Sequence, residues 1–115
     1  EDFDGIIAGA PANNQTRLCA WRIAVEARIL QEPASVVPVP KLALVNRAVL
    51  AACDALDGVT DGLLTDPHQC HFDPATLVCR GVDRDDCLTT RQVESVKMGY
   101  APATRKTGEL IYPGL

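Results

Sequence analysis

Gly5-Ile6-Ile7-Ala8-Gly9-Ala10-Pro11 is an uninterrupted apolar run closed by proline. Such a run reads as a strand buried on both faces, the habit of a parallel sheet covered by helices. Periodicity alone does not separate it from a buried helix, but its two glycines and Pro11 favour the strand. Strands to pair with it are not evident in the remaining sequence, and a lone buried strand leaves its backbone groups unsatisfied. The expectation is a segment of a longer protein, opening on Glu1-Asp2-Phe3-Asp4-Gly5 and stopping in mid-course at Tyr112-Pro113-Gly114-Leu115.

Helical patterns follow the strand. Asn13 and Asn14 offer caps for a helix running to about Leu30, with Leu18, Trp21, Val25 and Ile29 forming one apolar stripe. Trp21 on that stripe reads as a core anchor. Glu32 to Pro40 is a proline-rich, extended connector. Lys41 to about Ala52 is helical again, with Leu42, Val45 and Val49 aligned. Thr60 to Cys87 reads as loop held by short turns and cross-links. A last helix is well signalled: Thr89 with Gln92 makes a capping box, Leu88 with Val93 a hydrophobic staple, and Val93, Val96 and Tyr100 continue the apolar face.

With 47% hydrophobic and 23% charged residues, the 115-residue sequence is globular in character rather than disordered. A net charge of −4 argues against a nucleic-acid partner, which calls for a basic patch. No continuous apolar run approaches the roughly 18 residues of a membrane span, so no membrane partner is expected. Charge by region is more informative. Residues 1–52 balance to zero, residues 53–88 carry −6, and residues 89–115 carry +2.

Four of the five cysteines, Cys53, Cys70, Cys79 and Cys87, lie in that acidic stretch. Their spacings of 16, 8 and 7 intervening residues lack the Cys-x2–4-Cys pairs of zinc sites, although His68 and His71 flank Cys70. An even set in a loop-rich stretch fits disulfides made in an oxidising compartment. Three connectivities are open. Cys19 is left over, and reads as a buried thiol on the first helix.

Cys53-Asp54-Ala55-Leu56-Asp57-Gly58-Val59-Thr60-Asp61-Gly62-Leu63 gathers three carboxylates at the end of a helix. There the macrodipole is negative and carbonyls are unpaired, so carboxylates are unfavourable unless a cation joins them. Carboxylate and carbonyl oxygens are hard ligands that suit calcium, and Gly58 and Gly62 let the chain turn sharply. Asp54, Asp57 and Asp61 would bind through side chains, Val59 and Leu63 through main-chain oxygen. The spacing is not that of an EF-hand. The competing reading is a pair of Asp-Gly turns with solvated charges.

No catalytic set is legible. The two serines, Ser35 and Ser95, lack a Gly-x-Ser-x-Gly context, and neither His68 nor His71 has a nucleophile beside it.

The ordered motifs resemble the tannase and feruloyl esterase family of α/β-hydrolases, which also includes mono(hydroxyethyl) terephthalate hydrolase. The resemblance rests on Asp2-Phe3-Asp4-Gly5-Ile6-Ile7-Ala8-Gly9-Ala10-Pro11-Ala12, on Cys53-Asp54-Ala55-Leu56-Asp57-Gly58-Val59 with Asp61-Gly62, and on Asp66-Pro67 with Cys70. Phe72-Asp73-Pro74 with Leu77 and Cys79, Cys87-Leu88-Thr89 with Gln92-Val93, and Gly108 with Ile111-Tyr112-Pro113-Gly114 complete it. It is weaker over residues 13–52.

The resemblance implies that residues 1–12 end an α/β-hydrolase core segment. Residues 13–115 would then begin a mixed, loop-rich lid domain with helices, a calcium loop and disulfides. It implies calcium on Asp54, Asp57, Val59, Asp61 and Leu63, and pairs Cys53–Cys70 and Cys79–Cys87. The implied parent is a secreted or periplasmic serine carboxylic ester hydrolase. Its partners would be a small-molecule aromatic ester (galloyl, feruloyl or related phenolic) and the rest of the hydrolase chain. The segment would supply no catalytic residue and be inactive alone. A non-enzymatic, calcium- and disulfide-stabilised extracellular binding module is the competing class; it explains the acidic loop but not the opening strand.

Overall fold

Three helices and a small hairpin carry the chain in a computed structural model that describes Asp4, Gly5, Ile7, Gly9 and residues 14–114. The strand expected over Gly5–Pro11 lies, for Ile6, Ala8, Ala10 and Pro11, outside the described residues.

Helix α1 spans Gln15–Leu30. Asn14 holds the N-cap position expected of it, but in a left-handed conformation (φ 52°, ψ 34°) and without a side-chain hydrogen bond; Asn13 lies outside the described residues. Asparagine tolerates this conformation, and its carbonyl rather than its side chain joins the helix, accepting from the Arg17 and Leu18 amides at 2.9 and 3.0 Å. Trp21 is buried, as the stripe predicts, while Val25 and Ile29 are half-buried.

The proline-rich connector is not wholly extended. Pro33–Ser35 forms a 3₁₀ turn, and only then do Val36 and Pro38 take extended backbone. Helix α2 spans Val39–Cys53, starting before Lys41 because Pro40 sits in the first turn, where a missing N–H costs nothing. Taken as one stretch of 25 residues, Pro33–Asp57 holds an 18-residue window with a mean hydropathy of 1.5, long and apolar enough by composition to cross a membrane. Lys41, Asn46 and Arg47 interrupt its apolar residues, so no continuous apolar run is present. The stretch is three helical pieces, and α2 itself, at 15 residues, rises only about 22 Å against a hydrocarbon core of about 30 Å.

Beyond α2 the chain proceeds through 3₁₀ turns at Asp54–Asp57, Pro67–Gln69 and Pro74–Leu77. The last two begin alike. Proline opens the turn and the preceding aspartate caps it, Asp66 accepting from the His68 amide at 3.1 Å and Asp73 from the Ala75 amide at 3.0 Å. A bridge then ties Val78 to Leu88, with Cys79 N–H donating to Leu88 O and Leu88 N–H to Leu77 O, both at 2.8 Å.

Helix α3, Thr90–Tyr100, has the full capping box: Gln92 N–H donates to Thr89 Oγ1 at 3.2 Å, and Thr89 N–H to Gln92 Oε1 at 3.0 Å. Both staple residues are in the core. Leu88 (0% exposed) and Val93 (4%) pack with Val45 of α2, flanked by Val37, Val49, Leu77 and Val96. Leu42, expected on the same stripe, is half exposed at 51%.

A hairpin of β1 (Ala103–Thr104) and β2 (Leu110–Tyr112), antiparallel with one irregularity, follows α3 and returns to α1. Its turn closes through Gly108 N–H on Arg105 O at 2.9 Å, with Gly108 at φ 87°. Tyr112 on β2 stacks on Trp21, with ring centroids 5.1 Å apart.

One buried charge joins these pieces. Lys41, 2% exposed, donates from Nζ to Gln92 Oε1 at 2.9 Å and to Asp83 Oδ1. Gln92 Nε2 in turn donates to Val36 O at 3.3 Å. Three stretches of the chain, around Val36–Lys41, Asp83 and Gln92, thus meet at one ammonium and one amide.

Candidate functional site

The acidic loop begins where α2 ends. Asp54–Asp57 continues the helix for one 3₁₀ turn, and Gly58, at φ 89°, stops it with its N–H on Ala55 O at 3.2 Å. Gly62, at φ 82°, turns the chain a second time. These two left-handed glycines fold the loop back over its own start.

The carboxylates are held by the amides that this folding presents. Asp54 is 8% exposed, and both its oxygens accept from Gly62 N–H, at 3.1 and 3.2 Å. Asp57 Oδ1 accepts from Val59 N–H at 3.0 Å, while Oδ2 accepts from Thr65 Oγ1 at 2.6 Å and Thr65 N–H at 3.3 Å. Asp61 Oδ1 accepts from Leu63 N–H at 3.0 Å. The Thr65 hydroxyl first, and then the Val59 amide, hold the Asp57 carboxyl below the usual carboxylate range.

Asp54, Asp57 and Asp61 therefore share one loop of the structure. Among the described residues no three His, Cys, Asp or Glu side chains converge tightly enough to hold an ion by themselves, so an ion here depends on carbonyl ligands as well. The donor chemistry fits a hard cation: three carboxylates beside a helix C-terminus, with Val59 and Leu63 carbonyls in the same loop. Asp54 adds a sharper observation. It is a buried carboxylate with no cationic partner among the described residues, and a single bifurcated N–H is a thin replacement for water.

Two disulfides cross-link this half of the chain, Cys53–Cys70 and Cys79–Cys87, the sequential pairing among the three open connectivities. The first fastens the end of α2 to the far end of the acidic loop. Cys19 forms no disulfide and is half-buried rather than buried, its sulfur accepting from Gln15 Nε2 at 3.2 Å.

The two serines have structural work. Ser95 Oγ, buried on α3, donates to Ser35 O at 2.7 Å and to Arg91 O at 3.2 Å, tying α3 to the turn before α2. His68 and His71 are exposed. No serine–histidine pair forms among the described residues. Sequence reasoning missed the Lys41, Asp83 and Gln92 cluster entirely.

An apolar groove of about 440 Å³ runs between the helices, lined by Val25, Ile29, Val45, Val49, Val96 and Tyr100 among others. Burial pushes the Tyr100 hydroxyl above its ordinary range.

The whole chain, residues 1–115, matches the family described as tannase and feruloyl esterase. An uncharacterized esterase of Xanthomonas campestris pv. campestris is 40% identical over 114 residues, covering 97% of this chain and 20% of that protein. A probable feruloyl esterase B of Emericella nidulans is 39% identical over 116 residues, covering 97% of this chain and 22% of the relative. Among solved structures, feruloyl esterase B from Aspergillus oryzae superposes with a TM-score of 0.88 at 29% identity, over 100% of this chain and 24% of that one. The chain spans about a fifth of the length of the curated relatives it matches.

Proposed function

Because the chain belongs to the tannase and feruloyl esterase family, we propose that it is a segment of a serine carboxylic ester hydrolase acting on galloyl, feruloyl or related phenolic esters. Residues 1–12 end the α/β-hydrolase core, and residues 13–115 form the first part of its lid. The observation that carries this reading is the superposition of the entire chain on feruloyl esterase B from Aspergillus oryzae. A non-enzymatic calcium-stapled module would account for the acidic loop but not for that likeness.

The chemistry of the parent rests on residues elsewhere in its chain. A serine attacks the ester carbonyl, a histidine takes and returns the proton, an aspartate orients the histidine, and backbone amides stabilise the oxyanion. Residues of this segment brace the lid over that site. Asp54, Asp57 and Asp61 side chains with Val59 and Leu63 carbonyls hold a structural calcium, whose charge offsets the carboxylates and the helix end. Two disulfides support a secreted or periplasmic protein. The partners are the aromatic ester and the remainder of the hydrolase chain; no nucleic acid or membrane is involved.

The test is hydrolysis of methyl ferulate and methyl gallate by the full-length protein that contains this segment. Turnover of either, abolished by replacing the nucleophilic serine of the parent, supports the reading. Absence of turnover on both overturns it.

A further inference from the structure

Of the two disulfides, Cys53–Cys70 encloses the acidic loop, whereas Cys79–Cys87 encloses residues 80–86. All seven of those residues are exposed. A single side chain among them pairs with a buried group, that of Asp83, itself 57% exposed, whose carboxylate accepts from the Lys41 ammonium. A charged side chain only 2% exposed depends on its partners, and removing Asp83 leaves the Lys41 ammonium with Gln92 Oε1 as its one hydrogen-bond partner among the described residues. Lys41's second contact, Gln92 Oε1, is the same oxygen that caps the Thr89 amide at the start of α3. The pairing of Lys41 and the capping of α3 thus share one oxygen, and an exposed loop closed by a disulfide holds Asp83 in place beside them.

We propose that Cys79–Cys87 is a redox-sensitive latch: closed, it holds Asp83 on Lys41; opened by a dithiol, it lets α3 lift from α2 and the Pro33–Ser35 turn. The step balances. One thiolate of the dithiol attacks the half-buried Cys79 sulfur rather than the buried Cys87, and Cys87 leaves as thiolate. The second thiol of the reductant displaces Cys79 and closes the reductant's own disulfide. Two electrons pass to the protein, and two protons end on the cysteines. A cross-link around so short a loop favours its closed form by on the order of a hundredfold in the chain-entropy model, and reduction removes that factor. The Leu77–Leu88 and Cys79–Leu88 backbone bonds remain at the stem, so the loop is loosened rather than lost. Asp83 then leaves a buried ammonium behind, and Gln92 is drawn from its cap.

The experiment is amide exchange at Val93 and Val96 in the full-length protein. Its readout is helix opening and not ester hydrolysis, so its failure is distinct from failure of the proposed activity. Cys79→Ser/Cys87→Ser is expected to lower protection at both amides tenfold or more, Asp83→Asn to do the same with the disulfide intact, and Lys41→Met in the disulfide-free background to restore it. In the unaltered protein treated with dithiol and then alkylated, loss of protection should track labelling of Cys79 and Cys87. Unchanged protection in Asp83→Asn, no restoration by Lys41→Met, or loss that tracks only Cys53 and Cys70 would each overturn the latch. If the double serine variant does not fold, Asp83→Asn and the dithiol titration decide the question.

Discussion

The Trp21 indole lies against the Tyr112 ring with centroids 5.1 Å apart and planes inclined by 30°. This pair joins the first helix to the last strand, 91 positions apart in sequence. Trp21 is 8% exposed, and its Nε1 is buried without a partner among the described residues. Burial of ring area and an unpaired donor therefore act in opposite directions at one residue. Trp21→Ala should destabilise the full-length protein by about 3–5 kcal/mol. Trp21→Phe should cost clearly less, because the smaller ring removes the unpaired N–H along with part of the area. A double-mutant cycle with Tyr112→Leu should return a coupling of about 0.5–1.5 kcal/mol by chemical denaturation.

Gln92 should prove more sensitive than the residue it caps with. Thr89→Ala removes one helix cap and should cost about 1 kcal/mol. Gln92→Leu removes the acceptor for the Thr89 amide, an acceptor for buried Lys41 and the donor to Val36 O. A loss of about 3 kcal/mol or more follows, since buried polar groups are left unpaired. Equal losses for the two substitutions, measured by urea unfolding, would show that Lys41 does not depend on Gln92.

How much of this was legible in the sequence follows from the range of the interaction. The capping box and staple at Leu88 to Val93 were readable because their partners lie within five residues. The stripe through Trp21 was readable because it repeats at helical spacing. The hairpin at Ala103–Tyr112 was not, since strands of two and three residues carry no alternation; Gly108, with Thr104 and Tyr112 four positions to either side, was its only trace. Asn14 takes the N-cap position that the sequence offers, but whether its side chain caps or its backbone turns left-handed is decided only by the fold. The Lys41 cluster was beyond reach. Its partners stand 42 and 51 positions away, and Asp83 is one acid among eight in its stretch. In the acidic loop the residue types pointed to an ion, whereas the burial of Asp54 could be learned only from the fold.

Gly114 and Gly108 form a matched test of backbone against space. Both have left-handed φ, 88° and 87°. A Cβ on Gly108 meets nothing within 4 Å, so Gly108→Ala should cost only the left-handed penalty of about 1–2 kcal/mol. A Cβ on Gly114 would lie 2.4 Å from Tyr100 O and 2.7 Å from Ala101 O, at the end of α3. Gly114→Ala should therefore be the more damaging by a clear margin in thermal unfolding.

Acid should weaken the turn at Pro74–Leu77. The Ala75 amide, and after it the Lys97 ammonium 3.5 Å away, hold the Asp73 carboxyl below its ordinary range. The unfolded chain then binds the proton more readily than the folded one, so stability rises with pH through this window. The contribution is complete above the ordinary aspartate range of about 4 and fades as pH falls through the depressed value. Asp73 is exposed, so the effect is shallow. Asp73→Asn should flatten the acid limb of the melting-temperature profile while lowering stability at neutral pH; an unchanged limb would mean that Asp73 titrates alike in both states.

The proposed calcium site gives the most decisive measurement. Asp54, Asp57 and Asp61 stand at the C-terminal end of α2, where they repel one another and the helix dipole. Amide hydrogen bonds to each carboxylate ease this repulsion without neutralising it. An ion that binds only the folded form adds roughly 2.7 kcal/mol when its free concentration is a hundred times the dissociation constant. Chelation should then lower the melting temperature of the full-length protein, and calcium should restore it. Asp54→Asn should be the most damaging single change, because Asp54 alone of the three is buried. Asp57→Asn should also weaken ion binding, and its loss of the Thr65 contacts should remain visible in chelator. The site stands apart from the reacting groups in the proposed assignment, so loss of the ion should reduce stability before it alters turnover per folded molecule. A melting temperature indifferent to chelator, with no calcium by elemental analysis, would leave the loop as two hydrogen-bonded Asp-Gly turns.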